Sequence, residues 1–175
     1  MPTPAETFSD ALLQCLQDQY ALLPAAVRPA HYDKIAGTFF VEDIDPFFGV
    51  DKCCAGTGWV RVGDSYPTME FPEPIRAAQG NGCLPPKWVL ALDVGVARCY
   101  PGYGEASGPT QAQHAEARAT DLLDLKTIEL AICRWARTLR PKGTRFQVTG
   151  IAVTGPGGAC ISRIASILVE VSKCC

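Results

Sequence analysis

The residues in this sequence with the clearest chemical potential are nine cysteines, Cys15, Cys53, Cys54, Cys83, Cys99, Cys133, Cys160, Cys174 and Cys175. Thiolates bind soft metals, exchange disulfides or attack carbonyls, and spacing separates these uses. A zinc site places two thiolates two to four residues apart so that one turn of chain presents both to a single ion. Here the pairs Cys53–Cys54 and Cys174–Cys175 are adjacent, so successive side chains point apart in an extended chain, and only His31 and His114 supply imidazoles. A redox centre would need C-x-x-C at a helix start to stabilise the thiolate, and the sequence has none. An odd number of cysteines leaves at least one free thiol. In a reducing cytoplasm most are expected to act as small packing groups, with air oxidation of Cys53 or Cys54 to Cys83 as a side reaction. Within "DKCCAGTGWVRV" (51–62), Gly56 and Gly58 would let the chain turn into a strand, with Cys53 and Cys54 packing at a structural corner.

Other motifs are weaker. "VTGPGGACIS" has the glycines of a phosphate cradle but lacks its lysine, and the residues after it alternate like a strand, so a hairpin turn is expected. His31 falls in an expected loop and His114 near an exposed helix start. Neither has a nucleophile and a third orienting group beside it. Glu42, Asp43 and Asp45 cluster without the twelve-residue calcium pattern. No catalytic residue, no cofactor and no metal site is therefore expected, and the chain reads as non-enzymatic.

The elements that would position these residues emerge from composition and periodicity. A hydrophobic fraction of 47% and a charged fraction of 19% are those of a folded chain, and 175 residues suit one domain, 1–175. A net charge of −2 without a basic stripe argues against tight binding to phosphates. No signal-like N-terminus and no apolar run of membrane length is present, so no membrane contact is expected. Sixteen glycines and fourteen prolines point to long loops, placed at about 24–50, 66–86 and 100–110.

Leu12, Leu13, Leu16, Tyr20 and Leu23 predict a helix over about 9–23, capped by Ser9 and stopped by Pro24. A short strand is expected around Thr38 to Val41. A half-buried strand runs from Trp59 to about Tyr66, with Val60 and Val62 inward. "KWVLALDVGVARCY" is the clearest strand, its apolar face made by Trp88, Leu90, Leu92, Val94 and Val96. Leu122, Leu125, Ile128, Ile132, Trp135 and Leu139 make one stripe of a long helix over about 111–139, leaving Arg118, Lys126, Arg134 and Arg137 wet. A hairpin over about 145–173 closes the chain. The fold class expected is α+β: a mostly antiparallel sheet, with the N-terminal helix and the long helix on one face.

Aromatic and apolar residues within the loops, Phe39, Phe40, Phe47, Phe48, Tyr66, Met69 and Phe71, are the candidate interface residues, since such segments interleaved with proline and acids resemble subunit contacts. The succession "CCAGTGWVRV", "YP", "FP", "GC", "WVLALDVGVARCYP", "AICRW" and "GPGGACISRIASILVEV" resembles virion proteins of the head–tail region of long-tailed phages of actinobacteria, from about Cys53 to Val171. Within that region the layout is most similar to tail terminators. The resemblance implies a homo-oligomeric ring, generally a hexamer, that caps the tail tube protein, ends its polymerisation and meets the head–tail connector proteins in the virion neck. It further implies assembly in the host cytoplasm and passage of genomic DNA through the lumen without specific binding. The loop from Tyr66 to Pro86 is longer than a minimal terminator needs and the cysteines are dense, which keeps a head-to-tail adaptor, a stopper or a minor tail protein open. A cysteine-rich metal-binding module and a small Cys/His hydrolase are the readings from other classes.

Overall fold

The computed structural model describes residues 3–35, 54–75, 87–99, 101, 108–140, 143–157 and 160–172. Helix α1 spans Pro4–Ala21 and starts earlier than the Ser9 cap expected. The sequence Thr-Pro-Ala-Glu forms a capping box: Thr3 Oγ1 accepts the Glu6 N–H, and the Glu6 carboxylate accepts the Thr3 N–H. Pro4 fits the first turn, where no N–H is needed. Ser9 lies buried inside the helix instead, its hydroxyl donating to the Glu6 carbonyl. A 3-10 turn over Ala25–Val27 comes next.

Among the described residues one five-stranded sheet holds the fold together, in the order β1-β2-β3-β5-β4. Strand β1 (His31–Ile35) lies where a loop was expected and runs parallel to β2 (Thr57–Thr68), from His31 opposite Thr57 to Ile35 opposite Arg61. The other pairings are antiparallel: β2 with β3 (Lys87–Cys99), β3 with β5 (Cys160–Ser172), and β5 with β4 (Phe146–Gly157). The strand expected at Thr38 to Val41 lies outside the described residues. β2 also takes in Pro67 and Thr68, placed in the long loop by the sequence. Pro67 is tolerated because, among the described residues, β1 is paired only as far as Arg61 and this stretch of β2 has a ladder on the β3 side only. β4 reaches Gly157, opposite Cys160, so the first three residues of "GPGG" belong to the strand.

Helix α2 spans Gln111–Leu139 as the periodicity predicts, with Thr110 and Gln113 forming a second capping box. It ends at Arg140, and Gly143, at φ +66°, donates its N–H to the Arg140 carbonyl. Both helices pack on one face of the sheet, so the α+β architecture expected is the one observed. Leu12, Leu16 and Tyr20 of α1 and Ile128, Ile132, Trp135 and Leu139 of α2 meet Val60, Leu90, Leu92, Val94 and Val96 and the odd-numbered apolar residues of β5. Full burial of each such large side chain is worth about 2 kcal/mol. Trp135 stands edge-on to Phe8 and Phe146 at 6.2 and 6.1 Å. Leu125 is only half-buried, and Leu122, expected in the core, is 55% exposed. Over so long a helix the 3.6-residue period turns the stripe away from the sheet, and Asp124 and Thr127 occupy the buried positions there.

The far face of the sheet is also buried where a wet face was expected for β2. Trp59, Ile35, Ala97, Cys160 and Ile164 form a second cluster. Trp59 lies over Gly95, where a Cβ would come within 2.6 Å of the indole and 2.7 Å of the Arg163 carbonyl. This is why position 95 of β3 carries no side chain. The Trp59 Nε1–H donates to Ser162 Oγ, which donates to the Val96 carbonyl, while Arg61 and Ser166 both bond Asp93.

Candidate functional site

The two ends of the sheet carry the polar groups that could act on something. At the end where β3 finishes and β5 begins, the first half of α2 lies over a cleft of about 460 Å³ lined by Val27, Arg98, Gln113, Glu116, Asp121 and Arg163. Arg98 donates to both oxygens of Asp124, at 2.9 and 2.8 Å, and to the Val27 carbonyl at 2.8 Å. The Tyr20 hydroxyl donates to the same carboxylate at 2.6 Å, and Asp124 is 3% exposed. One turn of α2 earlier, Asp121 accepts two bonds from Arg163. Burial, then the Asp124 charge, push the Tyr20 hydroxyl far above its ordinary value. Burial works to lower the Arg98 guanidinium, but the bonds and charge of Asp124 outweigh it and leave it raised. Asp124 is thus committed to two donors and Tyr20 holds its proton, so neither is placed as a general acid or base. The arrangement is a structural clasp joining α1, β3 and α2.

The corner before β2 sits at this end. Gly56 adopts φ +82°, and its carbonyl accepts the N–H groups of Ala30 and His31, which starts the parallel pairing of β1. A Cβ at Gly56 would meet Arg98 Nη1 at 2.8 Å. Cys54 was expected to be a packing group, or a partner for Cys83. It is bonded to Cys99 instead, with a Cα–Cα distance of 4.2 Å. The register explains the pairing: Thr57 opposite Ala97 brings the chain just before β2 beside the end of β3. Cys160 is disulfide-bonded as well, Cys15 is a buried free thiol whose pKa burial raises, and Cys133 is an exposed free thiol. Among the described residues no three His, Cys, Asp or Glu side chains gather to hold a metal ion. His31 is exposed on β1 and His114 exposed on α2. Glu42, Asp43 and Asp45 lie outside the described residues.

At the opposite end β2 runs into a tight turn over 69–74. The Tyr66 hydroxyl donates to the Pro72 carbonyl at 2.9 Å, Thr68 Oγ1 to the Glu73 carbonyl at 2.7 Å, and the Ile75 N–H to the Pro67 carbonyl at 3.1 Å. Burial and then the Glu73 charge raise the Tyr66 pKa. The Phe71–Pro72 peptide is cis, and the Arg145 guanidinium sits 5.5 Å from the Phe71 ring centre while bonding Glu170. Lys87 approaches the same carboxylate at 3.5 Å. Of the candidate interface residues, Tyr66 and Phe71 are therefore half-buried supports of the turn, and Met69 is the exposed one at 74%. Phe39, Phe40, Phe47 and Phe48 lie outside the described residues.

Sequence reasoning missed the two Arg–Asp clasps and the Cys54–Cys99 bond, because each joins elements far apart in sequence and no local spacing marks them. Among the described residues no helix is long and apolar enough to cross a membrane. In comparisons with known proteins, no family model and no curated protein matches the chain.

Proposed function

We propose that this chain is a non-enzymatic virion protein of the head–tail junction, a ring-forming tail terminator that caps the tail tube and offers the head its docking surface. The sequence motifs carry the resemblance, and an α+β sheet with both helices on one face is compatible with it. The observation that supports association most directly is the long edge strand β4. Among the described residues its twelve residues pair with β5 alone, and Val148 and Val153 are 39% and 52% exposed. Monomeric proteins protect such edges, because an open apolar strand is a template for another chain. Irregular register at Val148/Gly150 and Thr154/Gly157 leaves a regular run of five residues, Gly150–Thr154, for such a contact.

A heterologous contact that closes by rotation makes a ring, and a ring whose far side offers no tube-binding surface ends growth. The near-neutral charge suits a lumen through which DNA slides without being gripped. An adaptor or stopper of the same neck shares these requirements. The test is the mass of the purified protein by light scattering over a range of concentrations, with electron microscopy of any large species. It is run with and without reductant, since Cys54–Cys99 would be open in a reducing cytoplasm. A closed ring of one size is the expected result. Stoichiometric zinc, lost together with folding on chelation, would replace the reading with a metal-binding module.

A further inference from the structure

We propose that the turn after β2 of one protomer docks through Met69 on the solvent-facing side of α2 of a second copy, with Glu70 and Glu73 meeting Lys126 and Arg137. The inference deepens the ring reading and rests on it.

The two surfaces complement each other in apolar character and in charge. The turn is a fixed knob: Tyr66, Thr68 and Arg145 tie it to the sheet, and the Glu73 N–H donates to the Glu70 carbonyl at 2.8 Å. A knob already ordered in the free chain loses little conformational freedom on docking. Met69 at its start is an adaptable apolar side chain, and most of its surface is open to solvent. Glu70 and Glu73 beside it are exposed or partly so and form no ion pair among the described residues.

On α2, positions 122, 126, 130, 133 and 137 recur at three and four residues and so share one side of the helix. They are Leu122, Lys126, Leu130, Cys133 and Arg137, the two leucines exposed at 55% and 48%. Lys126 and Arg137 make no ion pair among the described residues, whereas the neighbouring Arg134 is bound to Asp18 of α1. The stripe therefore interleaves two exposed leucines with the cations Lys126 and Arg137, which have no ion pair among the described residues, with Glu129 the carboxylate beside it, over roughly 20 Å of helix. The turn is pinned to the sheet end by Tyr66, Thr68 and Arg145, and no hydrogen bond or ion pair joins it to its own α2 among the described residues. Satisfying both surfaces takes another molecule, and because each copy carries both halves the contact can propagate until it closes.

The test uses the full chain. E70K/E73K gives a protein whose turn and helix are both basic, and K126E/R137E one in which both are acidic. Each alone is expected to fall to the single-chain mass of 18.8 kDa. Mixed in equal amounts they are expected to regain the wild-type mass, since every turn then finds a helix of opposite sign. Unchanged far-UV circular dichroism and thermal midpoint show that both variants are folded. In M69C, oxidation is expected to link neighbouring copies through Cys133 into a ladder of covalent multimers, lost in M69C/C133S. Variants that keep the wild-type mass, or a mixture that fails to recover it, overturn this contact and leave the ring standing. A wild type that is a monomer at every concentration overturns both. A monomer retained on anionic vesicles or duplex DNA through Lys126 and Arg137 would assign the α2 stripe to a phosphate surface and also overturn the self-contact.

Discussion

Each end of the sheet holds an arginine, a carboxylate and a tyrosine hydroxyl. At the cleft end these are Arg98, Asp124 and Tyr20; at the turn end they are Arg145, Glu170 and Tyr66. The chemistry is alike and the consequences are not, because burial differs. The Arg98 and Asp124 side chains are 18% and 3% exposed, so neither can turn to water if its partner is lost. Arg145 is 48% exposed, and its pair with Glu170 is correspondingly weak. The cleft end spends its charges inside the chain, whereas the turn end leaves Glu70, Glu73 and Met69 turned outward. Charged residues at a cleft attract functional attention, yet here the free valences are on the plain turn.

The largest effect expected is at the cleft. Arg98→Ala strands a buried carboxylate and should cost about 3 kcal/mol or more, read as a lower urea midpoint. A variant as stable as wild type would show that water reaches Asp124 and that the two ends are alike. Next, Cys54→Ser with Cys99→Ser should cost about 2–4 kcal/mol under oxidising conditions, through the freedom returned to the unfolded chain. Gly56→Ala should lose about 1–3 kcal/mol by forcing a side chain into a left-handed conformation against Arg98. Equal stability there would mean that the corner and the clasp are not coupled.

The turn end should respond more gently. Arg145, through its hydrogen bonds first, holds the Glu170 carboxyl below its ordinary value. A depressed carboxyl contributes stability above its unfolded pKa of about 4.3 and loses it as the pH falls through the folded value. Arg145→Ala should therefore cost up to about 1 kcal/mol at pH 7, with the difference from wild type shrinking as the pH falls below the unfolded pKa of about 4.3. The smallest effect on folding is expected from Met69→Ser, within about 0.5 kcal/mol of wild type. A clearly larger loss would show that Met69 is packed within its own chain and would remove the contrast.

What can be read from the sequence depends on how local each signal is. The long helix, β3 and the closing hairpin declare themselves by period over a dozen residues or more, and they have nearly the expected bounds. β1 does not, because "HYDKI" is short and polar and becomes a strand only by pairing with β2 across the Gly56 corner. The start of α1 is marked by Thr3, Pro4 and Glu6, a capping box that the periodicity argument passes over for Ser9. Leu122 is misplaced by the same argument, because a stripe read from spacing does not say where a straight helix leaves a twisted sheet. At the candidate site, composition singles out Met69, but its supports depend on contacts from Arg145, which spacing does not encode.

The seam between β3 and β5 has a consequence for how the chain acquires its structure. β2 with β3, and β4 with β5, are pairings between consecutive strands. The thirteen-residue register that joins them, from Lys87 opposite Ser172 to Cys99 opposite Cys160, links positions about sixty to eighty-five residues apart. During synthesis β3 must therefore wait, with Leu90, Leu92 and Val94 formed into a strand and one side unpaired, until α2 and the last hairpin have left the ribosome. Because its partners are the most distant in sequence of the described strand pairings, closure of that seam is the event expected to limit the folding rate. Substitutions along β5, rather than in either helix, are the ones that should slow it.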